Sequence, residues 1–255
     1  MYCNQDLDFY MSIFIVTLGF LFFLRQGHKP ARYGKYILQT SKQTHILLPA
    51  KLGWFIQELP SFLIPFVVIL YNQACDTMGC KMLLFMFCGH YFQRTFIYSA
   101  FTRGRPIPLF IVFCAVIFCS YNGFLQSHCM IYVAEYPKDW YMDIRFQLGV
   151  VIFVLGMGIN IHSDHILRTL RKQIEEVSYK IPEGGMFNFV SGANFLGEIM
   201  EWYGYAIATW SLPAFAFAIF TMLCIGPRAY HHHRFYLQTF KDYPKHRRVL
   251  IPFIF

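Results

Sequence analysis

The sequence predicts an all-α fold, a multispanning membrane helical bundle of about seven transmembrane helices, forming one domain over residues 1–255. Of the 255 residues 56% are hydrophobic and only 14% are charged, where soluble domains carry about 25% charged residues. Mean hydropathy is +0.39. Apolar runs recur at lengths near the ~20 residues that a helix needs to cross hydrocarbon. The breaks between them are only a loop long, with no repeat or low-complexity tract, so neighbours in sequence are expected to pack in space.

The first expected span, Phe9–Leu24, follows an acidic Met1–Asp8 that lacks the basic start of a cleaved signal, and it reads as a retained anchor. Gly27, Pro30 and Gly34 break the chain before the second span, Ala50–Tyr71. Lys81–Tyr98 and Ile107–Leu125 come next, then Phe146–Ile166. Pro213 divides the last two, Phe195–Ser211 and Pro213–Ile225, and is expected to leave short pieces, the second running on into an aromatic-rich tail. Lys and Arg gather at Arg25–Lys35, Arg103–Arg105, Arg168–Lys172 and Arg234–Arg248. Short basic loops stay in the cytoplasm, so an odd number of spans puts the C-terminus there. The net charge of +8 is explained by topology and anionic ligands, with no call for nucleic acid; membrane lipid is the expected surrounding, and no obligate protein partner is evident. Of eight cysteines only Cys75 and Cys80 share a loop, which allows one disulfide and no framework.

Polar residues inside or beside these spans fall at helical spacing. One stripe is Asn160, Asp164, Arg168 and Arg171; a second is Asn194, Glu198, Glu201 and Tyr205. Ionisable groups at bilayer depth cost at least a few kcal/mol unless they face a cavity or a partner. Interhelical hydrogen bonds that only hold a bundle together account for any one of these residues, and poorly for the set. Glu58 lies between apolar flanks beside Pro60, where desolvation favours a neutral carboxyl able to donate a hydrogen bond. Tyr91 is a second proton donor in an apolar span. Aimed at one carbonyl oxygen, the two would stabilise a developing enolate; taken singly, each is equally a packing contact or an interface anchor.

Arg94 and Tyr98 continue the Tyr91 stripe, and Arg103-Gly-Arg105 offers two guanidinium groups suited to phosphate oxygens. Arg228, His232 and Tyr236 again lie four apart. His231, His232 and His233 are consecutive, and adjacent helical residues point about 100° apart, so they cannot converge on a metal ion. Dinucleotide fingerprints, Walker loops and nucleophile elbows are absent from the sequence, so any nucleotide is held by side chains within the bundle. The polar stretch Lys172–Gly185, between the two stripes, is placed to close over such a ligand or to serve as a plain connector.

Five segments together resemble the steroid 5α-reductase family: Trp54-Phe-Ile-Gln-Glu-Leu-Pro-Ser-Phe62, His90-Tyr-Phe-Gln-Arg-Thr-Phe-Ile-Tyr98, Gly156-Met-Gly-Ile-Asn-Ile-His-Ser-Asp164, Ser191-Gly-Ala-Asn-Phe-Leu-Gly-Glu-Ile-Met-Glu-Trp202 and Ile251-Pro-Phe-Ile-Phe255. Within it, Ala134–Pro137, Asp143–Phe146 and Trp210–Ala214 are more similar to type 2 than to type 1 isozymes. The resemblance implies a seven-helix enzyme of the endoplasmic reticulum membrane that reduces the Δ4 double bond of 3-oxo steroids with NADPH. It implies that Glu58 and Tyr91 hold the C3 ketone beside Gln57, with Trp202 and Phe118 lining the steroid. It also implies a cofactor site of Asn160, Asp164, Arg171, Tyr179, Asn194, Glu198, His232 and Tyr236, with Arg94, Tyr98, Arg103 and Arg105. The sequence departs from that pattern at loop 172–179, at Lys180, at Thr102 and at Cys224. A related reductase acting on an enoyl thioester or polyprenol, and a sterol-binding protein without turnover, remain alternative readings.

Overall fold

The computed structural model describes residues 2–28, 46–72, 75–170 and 179–255. The chain begins with α1 (Tyr2–His28) and α2 (Ala50–Asn72). Next is α3 (Met78–Phe92), which continues through a π-helical stretch, Gln93–Tyr98, into the single turn α4 (Ser99–Phe101). Then come α5 (Leu109–His128), α6 (Ile144–Thr169), α7 (Ala193–Thr209) and α8 (Leu212–Thr239). Among the described residues, four helical segments are long and apolar enough to cross a bilayer: Gln5–His28, Leu109–Val133, Ile144–Thr169 and Leu212–Thr239. The chain is thus a helical membrane protein. Phe85 and Phe110 are 78% and 74% exposed on its outer face, a pattern suited to lipid contact and hazardous in water.

Helix boundaries follow the apolar runs closely, with one instructive difference. Pro213 does not leave a short last span. It sits in the first turn of α8, where a missing N–H has no helical partner to lose, and the helix continues for 28 residues through Pro227. Asp143 caps α6 by accepting from the Arg145 backbone N–H at 2.8 Å. The forked Arg145 guanidinium on the same carboxylate holds it down to about 2.

Inside the bundle the two closest helices are α6 and α7. A Cβ on Gly156 would run into the Glu201 backbone and the Gly197 carbonyl, and one on Gly204 into the Phe153 backbone and the Gly149 carbonyl. Small residues therefore let the two backbones touch, as membrane helix pairs require when no hydrophobic effect drives them together. Around this pair a largely aromatic core joins Phe87 and Tyr91 of α3, Phe153 of α6, Trp202 and Tyr205 of α7 and Phe217 of α8, with Leu125 of α5 among them.

Short extended pieces tie down the loops. β1 (Leu47–Leu48) pairs antiparallel with β2 (Ile107–Pro108), Leu47 opposite Pro108. The C-terminal tail bonds to the segment before α7, with Ser191 N donating to Arg248 O and Arg248 N to Phe189 O, both at 2.8 Å. Buried Arg247 donates to the Pro182 carbonyl at 2.7 Å. Cys75 and Cys80 form a disulfide between α2 and α3.

The glycine contact carries a prediction. Gly156→Ala should lower stability by about 1–3 kcal/mol, because the methyl group meets backbone rather than a movable side chain. Gly158, two residues on, has open space around it, so Gly158→Ala should change stability by less than about 1 kcal/mol, in the favourable direction. Thermal unfolding of the two variants in detergent compares them.

Candidate active site

A cavity of about 410 Å³ opens between α2, the π-helical stretch, the C-terminal half of α6, the start of α7 and the second half of α8. Its lining is strongly cationic: Arg94, Arg103, Arg105, Arg168, Lys180 and Arg228 stand against the carboxylates of Glu58, Asp164 and Glu198. Tyr98, Tyr179, Asn194, His232 and Tyr236 complete the wall, with Gln57 beside Glu58. A set of guanidinium groups at a cavity mouth is suited to phosphate oxygens. A second cavity, of about 600 Å³, lies toward the N-terminal ends of α1 and α8; Asp8, Glu135 and Trp210 line it, and none of the expected site residues does.

Arg94 organises the interior. Its Nη1 donates to Asp164 Oδ2 at 3.0 Å. Its guanidinium carbon lies 4.2 Å from the Tyr98 ring centroid and 5.0 Å from that of Trp54. Only 7% of the residue is exposed, a burial tolerable for a guanidinium only with charge and ring partners. The Glu198 and Glu58 carboxyl groups also act on it electrostatically. Asn160, one turn before Asp164, donates from Nδ2 to the Asn194 carbonyl at 2.9 Å, joining the two polar stripes across the α6–α7 contact.

At the inner end Gln57 Nε2 donates to Glu58 Oε1 at 3.1 Å. Oε2 in turn accepts from the Cys119 thiol at 3.9 Å, so both carboxyl oxygens have a neighbour. Tyr91 lies behind this floor, 4% exposed and outside the cavity wall. A carboxyl group therefore lines a cavity rich in cations, with a buried phenol behind that wall. That arrangement can orient a carbonyl inward and an anion outward.

The remaining expected residues fall in three places. Trp202 is 1% exposed in the core, 5.8 Å from the Tyr91 ring, and Phe118 stacks on Phe220 at 4.2 Å; both stand outside the cavity wall. Arg171 and the first half of the expected closing loop, residues 172–178, lie outside the described residues. Glu201 and Tyr205 leave the second stripe: Glu201 Oε1 accepts from His90 Nδ1 at 2.7 Å, and the Tyr205 hydroxyl reaches the Met130 sulfur at 3.6 Å. The three consecutive histidines diverge, His231 to the Gln26 carbonyl at 2.6 Å, His232 to the Phe195 ring at 5.4 Å and His233 to Ser191 Oγ at 2.6 Å. Sequence reasoning passed over Trp54, Ser191 and the lining role of Lys180. The first had a signal, since Trp54, Gln57 and Glu58 share one helical face.

Comparison with known proteins gives the cavity a context. Residues 105–255 match the family described as 3-oxo-5-alpha-steroid 4-dehydrogenase. The chain is 55% identical to 3-oxo-5-alpha-steroid 4-dehydrogenase 2 of Macaca fascicularis over 99% of its length and 98% of that protein's. It is 58% identical to the Sus scrofa type 2 protein over 89% of each chain. Against the type 1 protein of Homo sapiens identity is 43%, over 94% of this chain and 92% of that one. A match of this extent spans both the cation-lined mouth and the Glu58 floor, and the chain therefore belongs to the 3-oxo-5-alpha-steroid 4-dehydrogenase family, nearer its type 2 than its type 1 members.

Proposed function

We propose that the protein reduces the Δ4 double bond of 3-oxo steroids such as testosterone and progesterone, acting as an NADPH-dependent 3-oxo-5α-steroid 4-dehydrogenase within the membrane. Its family is one of oxidoreductases, consistent with a nicotinamide cofactor. The observation that carries the reading is the Glu58 carboxyl on the cavity wall, bonded by Gln57, with the buried Tyr91 phenol behind it.

NADPH supplies a hydride when bound. The chain's residues fit it by chemistry: Arg103, Arg105, Arg168 and Lys180 offer cations for its phosphates, and Asn194, Glu198, His232 and Tyr236 offer polar partners deeper in the wall. Tyr91 and protonated Glu58 donate to the steroid C3 oxygen, drawing electron density from C5. As C5 is reduced on its α face, the same two donors stabilise the enolate oxygen, in a site from which water is excluded. Protonation at C4 then completes the saturated product. Trp202 and Phe118 are proposed to flank the steroid. Reduction of a polyprenol is disfavoured, because a substrate without a carbonyl has little use for paired donors.

The proposed setting is the endoplasmic reticulum membrane, with the C-terminus cytoplasmic and all 255 residues in one domain. Two observations support the orientation. The arginines at the cavity mouth favour the cytoplasmic side, and the Cys75–Cys80 disulfide is in the loop expected to face the oxidising side.

Glu58→Gln and Tyr91→Phe should each lower kcat about 100- to 1000-fold, the usual loss for one oxyanion donor, with NADPH affinity nearly unchanged. Steady-state steroid reduction and cofactor titration measure the two quantities; near-normal turnover in both variants would remove the pair from the mechanism. Cofactor choice is tested at the mouth. Arg105→Ala and Arg171→Ala should raise KM for NADPH about 10- to 100-fold while moving KM for NADH little, wherever the lost guanidinium reads the 2′-phosphate. An unchanged ratio in both would pass that role to Arg103 or Arg94.

A further inference from the structure

A buried chain of side-chain amides runs from the start of α8 to the Tyr91 phenol, and the proposed chemistry leaves it without a task. Gln126 of α5 is 2% exposed. Its Nε2 lies 3.0 Å from the Pro213 carbonyl oxygen and 3.2 Å from Asn122 Oδ1. Asn122, one turn earlier on α5 and fully buried, places Nδ2 3.5 Å from the Tyr91 hydroxyl.

The polarity of this chain is fixed at one end. A backbone carbonyl only accepts, so Gln126 must turn its NH2 group toward Pro213. The second hydrogen of that group then meets Asn122, which must answer with its oxygen. Asn122 is left facing Tyr91 with its own NH2 group, so the phenol oxygen accepts on that side and its single hydrogen points elsewhere. Ser61 also reaches the phenol; with its own hydrogen on the Cys119 carbonyl at 3.0 Å, its oxygen can only accept, and it holds the Tyr91 hydrogen until a substrate carbonyl takes its place.

We infer that Asn122 and Gln126 are positioning residues, which hold the Tyr91 hydroxyl as a donor toward the substrate carbonyl through a one-way hydrogen-bond chain anchored on Pro213. The inference rests on the reading of Tyr91 as a donor to the steroid ketone. Were Asn122 to flip, its oxygen would take the phenol hydrogen and withdraw it from the substrate. Donation into the phenol oxygen also polarises the O–H bond and strengthens it as a donor.

A double-mutant cycle tests this, with single-turnover product formation at saturating NADPH and testosterone as the readout. Asn122→Leu should slow steroid reduction about tenfold, as expected for one lost hydrogen bond. Placed on Tyr91→Phe, the same change should cost less than about twofold, because the group it positions is gone. Gln126→Leu, which frees Asn122 to flip, should show the same dependence on Tyr91. If a single replacement fails to fold, the pair Asn122→Leu with Gln126→Leu removes both amide partners at once and serves in the same cycle. Equal losses with and without Tyr91 would mark the amides as packing only and overturn the inference, as would a wild-type rate in Asn122→Leu. A wild-type rate in Tyr91→Phe alone would remove Tyr91 from the chemistry and this inference with it.

Discussion

The approach of α6 to α7 is the constraint on which the cavity depends. With glycine at 149, 156, 197 and 204 the backbones meet directly, and only at that separation does the Asn160 amide reach the Asn194 carbonyl at 2.9 Å. The next turn of each helix then presents Asp164 and Glu198 to the same space. Arg94 enters from the π-helical stretch and bonds Asp164. A wider helix pair would leave a buried guanidinium and two carboxylates without their partners, an arrangement far costlier than the loss of any one contact.

From that centre the cavity divides by solvent access and charge. Toward the mouth, cations outnumber carboxylates, which favours phosphate, and the proposed function puts the nucleotide at this edge. Toward the floor the ionisable groups are few, and behind it the buried hydrogen bonds act in a low dielectric. Arg94 stands between the two regions and is coupled electrostatically to both Glu58 and Glu198. The π-helical stretch that carries it is an uncommon local geometry, found most often at functional sites.

Much of this was legible in the sequence, for identifiable reasons. Helix positions followed from apolar runs, and the stripes from helical spacing, because both depend on local periodicity. Pro213 misled because a proline marks a boundary without telling which side it starts. Glu201 and Tyr205 keep the period of their stripe yet turn into the core, since which partner a helix face meets is a tertiary fact; His90, 111 residues away, claims Glu201. Asn122 and Gln126 carried the same i, i+4 signal as Asn160 and Asp164 within an apolar span. Without ionisable side chains they stood out less, and their role depends on a carbonyl of α8 that no local pattern reports.

The central claim is that a 3-oxo steroid is held by its ketone at Glu58 and Tyr91 with C5 facing the cofactor. The most direct measurement supplies purified protein with testosterone and NADPH deuterated at the nicotinamide C4, one face at a time, and locates the label in the product. The account predicts dihydrotestosterone carrying deuterium at the 5α position from one face only. Deuterium at C4, a 5β product, or no transfer from either face would contradict it, however tightly the protein binds the steroid.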